Sequence, residues 1–271
     1  MTRCLVARAP PLVSCLMVTL PLARRFQAMR RAIDSYLAQT YGHRELVIVH
    51  ERVDTPATRA IADHVAALGR ADIRLAPAPD GLALGALRNH GRAVASGDIH
   101  LQWDDDDLYH PRRIERQLAF LVETGAEAAC LQEVMQWIAP KRRLYCVNWR
   151  GTPAKGLPGS LICHASVPVR YPEAGANARR GEDTEFVCEL QRRGAVSFQE
   201  REPHLYVYVS HGANTWDDAH HHRLAERLAI SAGLLLRREA ALREGLAPYD
   251  FGPGPVLVEG ANGPGFALVS A

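Results

Sequence analysis

The chain has 271 residues, with Lys+Arg 32 against Asp+Glu 30 and a formal net charge of +2. Apolar residues make up 47% and charged residues 23%, a globular composition that excludes a disordered, collagen-like or acidic-tail protein. So small a net charge gives no reason to expect nucleic acid or an anionic membrane as the main partner.

The apolar stretch from Pro11 to Ala23 is too short to span a bilayer and is broken by Pro21. It follows Arg3 and Arg8 as a signal segment would, but no small-x-small cleavage site precedes Arg24 and Arg25, so a cytoplasmic protein is expected. Cys4, Cys15, Cys130, Cys146, Cys163 and Cys188 are scattered with no C-x-x-C, and read as buried reduced thiols.

Val13 to Thr19 reads as a buried strand, and Arg24 to Gln39 as a helix with Phe26, Met29, Ile33 and Leu37 on one face. Glu45 to Val49 is a second strand, and Thr55 to Leu68 a helix with Pro56 in its first turn. Asp72 to Leu75, Leu84 to Ala95, Asp98 to Trp103 and Pro111 to Val122 continue as strand, helix, strand, helix. This alternation implies a mainly parallel sheet covered by helices, with ligands bound beyond the carboxyl ends of the strands. The second half is less regular. Ala128 to Ile138, Leu144 to Trp149, Leu161 to Val169 and Leu205 to Val209 read as strands, and Glu182 to Arg192 and Asp217 to Leu242 as helices. The expected organisation is an extension over 1–11, one domain over 12–244 and a flexible Gly/Pro-rich tail over 245–271.

The strongest chemical signal is IHLQWDDDDLYHP, where Asp104 to Asp107 stand in a row at the end of a buried strand. Carboxylates this close raise one another's pKa unless a cation neutralises them. A hard divalent ion, Mn²⁺ or Mg²⁺, sharing its shell with substrate phosphates, is the natural partner; a solvated turn capping the next helix is the bland alternative. Gly81 and Gly85 match no phosphate loop and read as turn and close-packing glycines. His220, His221 and His222 point in different directions on a helix, which argues against a shared metal.

Four stretches together, PLVSCLMVT, AIDSYLAQTYGHRELVIV, LGALRNHGRAVASGDIHLQWDDDDLYHPRRIERQ and RRGEDTEFVCELQRRG, resemble the family 2 glycosyltransferases. The resemblance covers Pro11 to Val209. It implies an inverting enzyme with a GT-A (Rossmann-like) three-layer α/β fold, a mainly parallel mixed central sheet flanked by helices. The implied reaction moves a sugar from a nucleotide-diphosphate donor, a UDP- or dTDP-sugar, to an acceptor hydroxyl. By the same resemblance Thr19 and Glu51 hold the nucleotide base, although the family's usual Asp-Asp-Gly-Ser is replaced by His50-Glu51-Arg52-Val53. Arg88 and Asn89 match the Arg-Asn ahead of the acidic strand. Asp104 and Asp105 fall on the nucleotide-sugar, Asp106 on the metal, and His211 is a candidate further ligand. Asp183 is the implied catalytic base, with Glu182 the adjacent alternative. Pro158, Gly159 and Ser160 fall on the acceptor side, and Trp216 is a candidate wall for the sugar. Implied partners are the donor and a sugar, lipid-linked or protein acceptor, with no transmembrane segment and room for peripheral membrane association. Two other readings stay open: a sugar-phosphate nucleotidyltransferase, and an inactive nucleotide-sugar-binding domain.

Overall fold

A computed structural model describes residues 9–212, 214 and 218–269. Its first half alternates as the sequence predicts: β1 (Val13–Val18), α1 (Phe26–Leu37), β2 (Arg44–Glu51), α2 (Pro56–Leu68), β3 (Ile73–Ala78), α3 (Leu84–Val94) and β4 (Ile99–Gln102). A two-residue strand β5 (Leu108–Tyr109) and α4 (Arg113–Thr124) follow. Local chemistry sets the helix ends. The Thr55 hydroxyl accepts from the Thr58 N–H at the start of α2, and Gly69 closes it in the left-handed conformation at φ 61°.

The second half holds β6 (Ala128–Leu131), β7 (Glu133–Ile138), β8 (Arg143–Asn148), β9 (Ile162–His164), α5 (Glu182–Arg192), β10 (Val196–Gln199) and β11 (Tyr206–Ser210). The chain ends with α6 (Asp218–Leu228), α7 (Ala232–Arg237), α8 (Glu239–Leu246), β12 (Val256–Gly260) and β13 (Gly263–Leu268). Two sheets result. The larger runs β10-β6-β9-β4-β1-β2-β3, and the other runs β13-β12-β8-β7-β11-β5. In the larger sheet β1, β2, β3 and β4 pair in parallel, as do β10 and β6; β9 runs antiparallel to both β4 and β6.

Alternation along the strands builds the layers. Cys15, Met17, Leu46 and Ile48 face Met29, Ile33, Ile61, Ile114 and Leu118 of α1, α2 and α4. Leu16, Val47 and Val49 face the opposite way, onto Leu87 of α3. On that side Cys163 and Cys130 also meet Phe186 and Leu190 of α5. Cys15, Cys130, Cys146 and Cys163 are buried free thiols, as expected, while Cys188 is half-buried and Cys4 lies outside the described residues. Among the described residues no helix is long and apolar enough to cross a membrane.

Four expectations need correction. The segment 128–138 is two strands, not one: β6 joins the larger sheet, and β7 the smaller. Gln132 marks the crossing, donating its N–H to Gln199 and accepting from the Trp149 N–H. The strand expected over 161–169 is confined to β9, and β10, half-exposed at the sheet edge, was not expected. The single helix expected over 217–242 is three. It breaks where the Ile230 N–H donates to the Cys146 carbonyl and Ser231 caps α7. The tail is not a flexible appendage throughout, because β12 pairs with β8 and β13 closes a hairpin. Val256, Val258 and Phe266 of that hairpin pack against Leu144, Leu235 and Leu242. If the hairpin is core, Phe266→Ala lowers unfolding stability by about 3 kcal/mol. Denaturant midpoints measure this, and a loss within about 0.5 kcal/mol is what a loose tail would give.

Candidate active site

Strand order reverses between β1 and β4, so a crevice opens where their carboxyl ends diverge. An open cleft lies there. Val18, Leu20 and Arg25 come from the end of β1, Asp104 to Asp107 from the end of β4, and Arg88 from α3. Arg180 to Asp183 come from the start of α5, and Tyr208 from the second sheet.

Each carboxylate of the row has its own partners. Asp104 accepts from Arg88 Nη1 at 3.0 Å and from Gln102 Nε2 at 3.1 Å. Asp105 accepts from the Thr19 hydroxyl at 2.6 Å and from Arg25. Asp106 Oδ2 meets Arg25 Nη2 at 2.9 Å and His211 Nε2 at 3.1 Å. Asp107 accepts from the Tyr206 hydroxyl and, at 2.7 Å, from the Val209 N–H.

These partners sort the acidities. Burial and the charges of Asp106 and Asp104 push the Asp107 carboxyl well up. Burial and Asp106 push Asp105 up, although Arg25 and Thr19 resist. Burial also acts against Asp106, but the His211 hydrogen bond and the Arg25 charge outweigh it and hold this carboxyl down. Asp106 is thus held toward negative charge, whereas Asp105 and Asp107 are pushed away from it. His211 Nε2 lies against this cleft carboxylate, and an oxygen with an imidazole nitrogen is a donor pair compatible with a divalent ion. Among the described residues no group of three His, Cys, Asp or Glu side chains is gathered to hold a metal.

Beneath the row lies a buried cation. The Arg113 guanidinium stands 5.1, 4.5 and 4.8 Å from the ring centres of Trp103, Tyr109 and Tyr206. It donates to the Gln102 carbonyl at 2.9 Å, the residue that ends β4. Tyr109 and Tyr206 in turn donate to the Asp104 carbonyl and the Asp107 carboxylate. The acidic turn is therefore held from below by groups that cannot easily give up their positions.

A second cavity adjoins the first. Trp149, Leu157, Pro158, Gly159, His220 and Arg227 line it, and Asp104, Gly181, Asp183 and Tyr208 line both cavities. Gly159 is required here, since a Cβ would come within 2.9 Å of an Asp104 oxygen and of the Tyr206 hydroxyl. Asp183 is half-buried at the junction. Burial and the neighbouring Glu182 charge push its carboxyl up to about 7. Glu182 is buried and accepts from Arg88 Nε at 2.8 Å, a contact that holds the guanidinium in place. Burial opposes the Arg88 charge, but Asp104 and Glu182 outweigh it.

Of the residues singled out in the sequence, Arg88, Asp104, Asp105, Asp106, Glu182 and Asp183 meet in the first cleft, and Thr19 and His211 touch it through Asp105 and Asp106. Glu51 ends β2 and accepts from the Gly81 N–H at 2.8 Å. Asn89 is not brought into the cleft: it is buried with its amide bonded to both backbone groups of Tyr171. Ser160 is likewise spent on the Leu157 carbonyl and the Leu131 N–H. Gly85 is a close-packing glycine, since a Cβ there would strike the Pro172 carbonyl. His221 meets the Tyr208 ring edge-on with ring centres 5.3 Å apart, while His220 turns to the second cavity. Trp216 lies outside the described residues. The sequence reading passed over Arg25, Arg113, Tyr206 and Tyr208. Only the position of Arg25, just past a strand end, gave a signal.

Residues 18–136 match the model of Glycosyl transferase family 2. That segment, less than half of the chain, is similar to this family. The chain is 31% identical over 150 residues to the protein named "Putative glycosyltransferase EpsE" of Bacillus subtilis (strain 168), covering 53% of this chain and 52% of that protein. The chain thus spans about half the length of this relative. Among solved structures, S. aureus TarS 1-349 in complex with UDP-GlcNAc superposes with a TM-score of 0.56 at 12% identity, covering 88% of this chain and 67% of that one. The mannosyltransferase PcManGT from Pyrobaculum calidifontis, in complex with GDP-Man and Mn²⁺, gives 0.54 at 14% identity, covering 88% and 64%. At these identities the likeness establishes the fold, which is GT-A.

One consequence of the site's electrostatics can be checked without substrate. The Asp183 carboxyl titrates near its ordinary 3.8 when unfolded and at about 7 when folded. Between those values the folded chain holds a proton that the unfolded chain has released, so this group's contribution to stability falls as pH rises through the window. Asp183→Asn, which cannot ionise, should therefore raise the unfolding midpoint at about pH 8 and lose that advantage near pH 4. Thermal unfolding of both proteins across this range decides it, and an Asn variant less stable at pH 8 would contradict the assignment.

Proposed function

We propose that this chain is an inverting glycosyltransferase that moves a sugar from a nucleotide-diphosphate donor to an acceptor hydroxyl. One observation carries the reading: Asp183 sits where two cavities meet, one rich in carboxylates and guanidinia, the other lined by Trp149, Leu157 and Pro158. A donor in the first cavity and an acceptor in the second would bring the anomeric carbon and the attacking hydroxyl together at that carboxylate. Names of similar proteins support the donor class, since TarS is described with UDP-GlcNAc and PcManGT with GDP-Man and Mn²⁺.

In this reading Asp183 accepts the acceptor's proton as the new bond forms. A carboxyl pushed up to about 7 suits a general base, because the best catalytic pKa lies near the working pH. Glu182 holds Arg88, whose planar fork is suited to a phosphate oxygen. Glu51 offers its second carboxylate oxygen to an imide N–H of the base, which favours a UDP- or dTDP-sugar. Asp106 and His211 would hold Mn²⁺ or Mg²⁺, with the diphosphate and water completing the shell. A divalent ion bound there offsets charge on the leaving diphosphate. Trp149 and Pro158 provide an apolar wall for a sugar or lipid-linked acceptor.

Nucleotide release from a panel of UDP-, dTDP-, GDP- and CDP-sugars, with Mn²⁺ and with EDTA, tests the proposal. Asp106→Ala should abolish transfer with the fold intact. Asp183→Asn should keep donor affinity and lower kcat by about 10²–10⁴-fold. Full activity in EDTA would remove the metal from the mechanism, and a product that keeps the donor's anomeric configuration would exclude a single displacement.

A further inference from the structure

Arg25 follows the end of β1 and reaches over the acidic row. Its Nη2 contacts both Asp105 and, at 2.9 Å, Asp106, while its Nε lies 3.3 Å from Asp105 Oδ2. The side chain is 12% exposed. The Asp106 oxygen it contacts, Oδ2, is also the one that meets His211 Nε2 at 3.1 Å. Asp105 is anchored independently, through the Thr19 hydroxyl at 2.6 Å. Arg25 is thus held by two carboxylates of different character. Asp105 is turned toward Thr19 and the strand end, whereas Asp106 is shared with His211.

We infer that Arg25 is a coupling residue: it competes with a divalent ion for Asp106 Oδ2, and once displaced it stays on Asp105 and turns the released N–H groups to the donor's diphosphate. The inference rests on the metal-dependent reading above. Its physical basis is charge balance in a shielded cleft. A guanidinium cannot discharge, so ion binding in the absence of nucleotide sets two cations against each other around one carboxylate. A diphosphate relieves that conflict by giving Arg25 an anionic partner. The ion and the nucleotide should therefore bind with positive cooperativity, and by linkage each must favour the other by the same factor.

Removing the guanidinium should then have opposite effects on the two ligands. For Arg25→Gln, Mn²⁺ alone should bind several-fold tighter than to the wild-type chain, while UDP in the presence of Mn²⁺ binds weaker. The factor by which saturating UDP tightens Mn²⁺ binding, expected within the about 5–150-fold span usual for coupled sites, should fall toward one. Calorimetric titration of Mn²⁺ alone, and of UDP with and without Mn²⁺, measures all three; GDP replaces UDP if wild-type binds it better. Arg25→Lys retains charge but not the two-point fork, and should shift both affinities in the same directions by less; it also serves if Arg25→Gln does not fold. Weaker or unchanged Mn²⁺ binding by the folded variants would overturn the inference. Asp106→Ala separates this from failure of the metal reading: if it still binds Mn²⁺ as wild-type does, the ion is not held by Asp106 at all.

Discussion

Four consecutive carboxylates at the end of a buried strand impose the constraint on which the site depends. Two unit charges about 4 Å apart interact by roughly 4 kcal/mol at an effective dielectric near 20, so an uncompensated row would not keep its shape. The fold answers with a different partner for each member. Arg88 meets Asp104, Arg25 bridges Asp105 and Asp106, and Tyr206 with the Val209 N–H satisfies Asp107. Arg113 then fixes the floor, because it is fully buried among three aromatic rings and bonded to the last residue of β4. The outcome is graded acidity along one turn. Asp107 and Asp105 are pushed up and Asp106 is held down.

The second sheet is what makes this compensation available. β11 carries Tyr206, Val209 and Tyr208 to the row and leads directly into His211. β11 is held between β5 and β7, β7 pairs with β8, and β8 pairs with β12. The C-terminal hairpin thus lies at the far end of a continuous hydrogen-bonded path to the site. That arrangement explains why a segment rich in glycine and proline is built into the core rather than left loose.

Much of the site was legible before any tertiary structure. Asp104 to Asp107, Glu182 and Asp183 fall at a strand end or a helix start that hydrophobic periodicity already marks, and Arg88 lies within the helix before the acidic strand. Their residue types announce charge chemistry. What could not be read is which of two adjacent carboxylates does what. Glu182 and Asp183 differ by one position on α5, which turns one toward Arg88 and the other toward the junction of the cavities. Asn89 illustrates the opposite error, since a polar residue beside an arginine of the cleft is here occupied by the Tyr171 backbone and the Glu173 carboxylate.

The sequence by itself determined the alternating first half, its parallel strands and the place where ligand chemistry should gather, because those features follow from local periodicity and from how β-α-β units must pack. Only the tertiary structure decided the rest. The run 128–138 carries no period that betrays its division, since 11 of 11 positions are buried, and the break at Gln132 is set by partners as distant as Gln199. The same holds for Arg25 and Arg113: each is one arginine among many in the sequence. They become components of the site through long-range contacts with Asp105 and Tyr206, separated from them by tens of residues in the chain, and composition and periodicity do not encode such contacts.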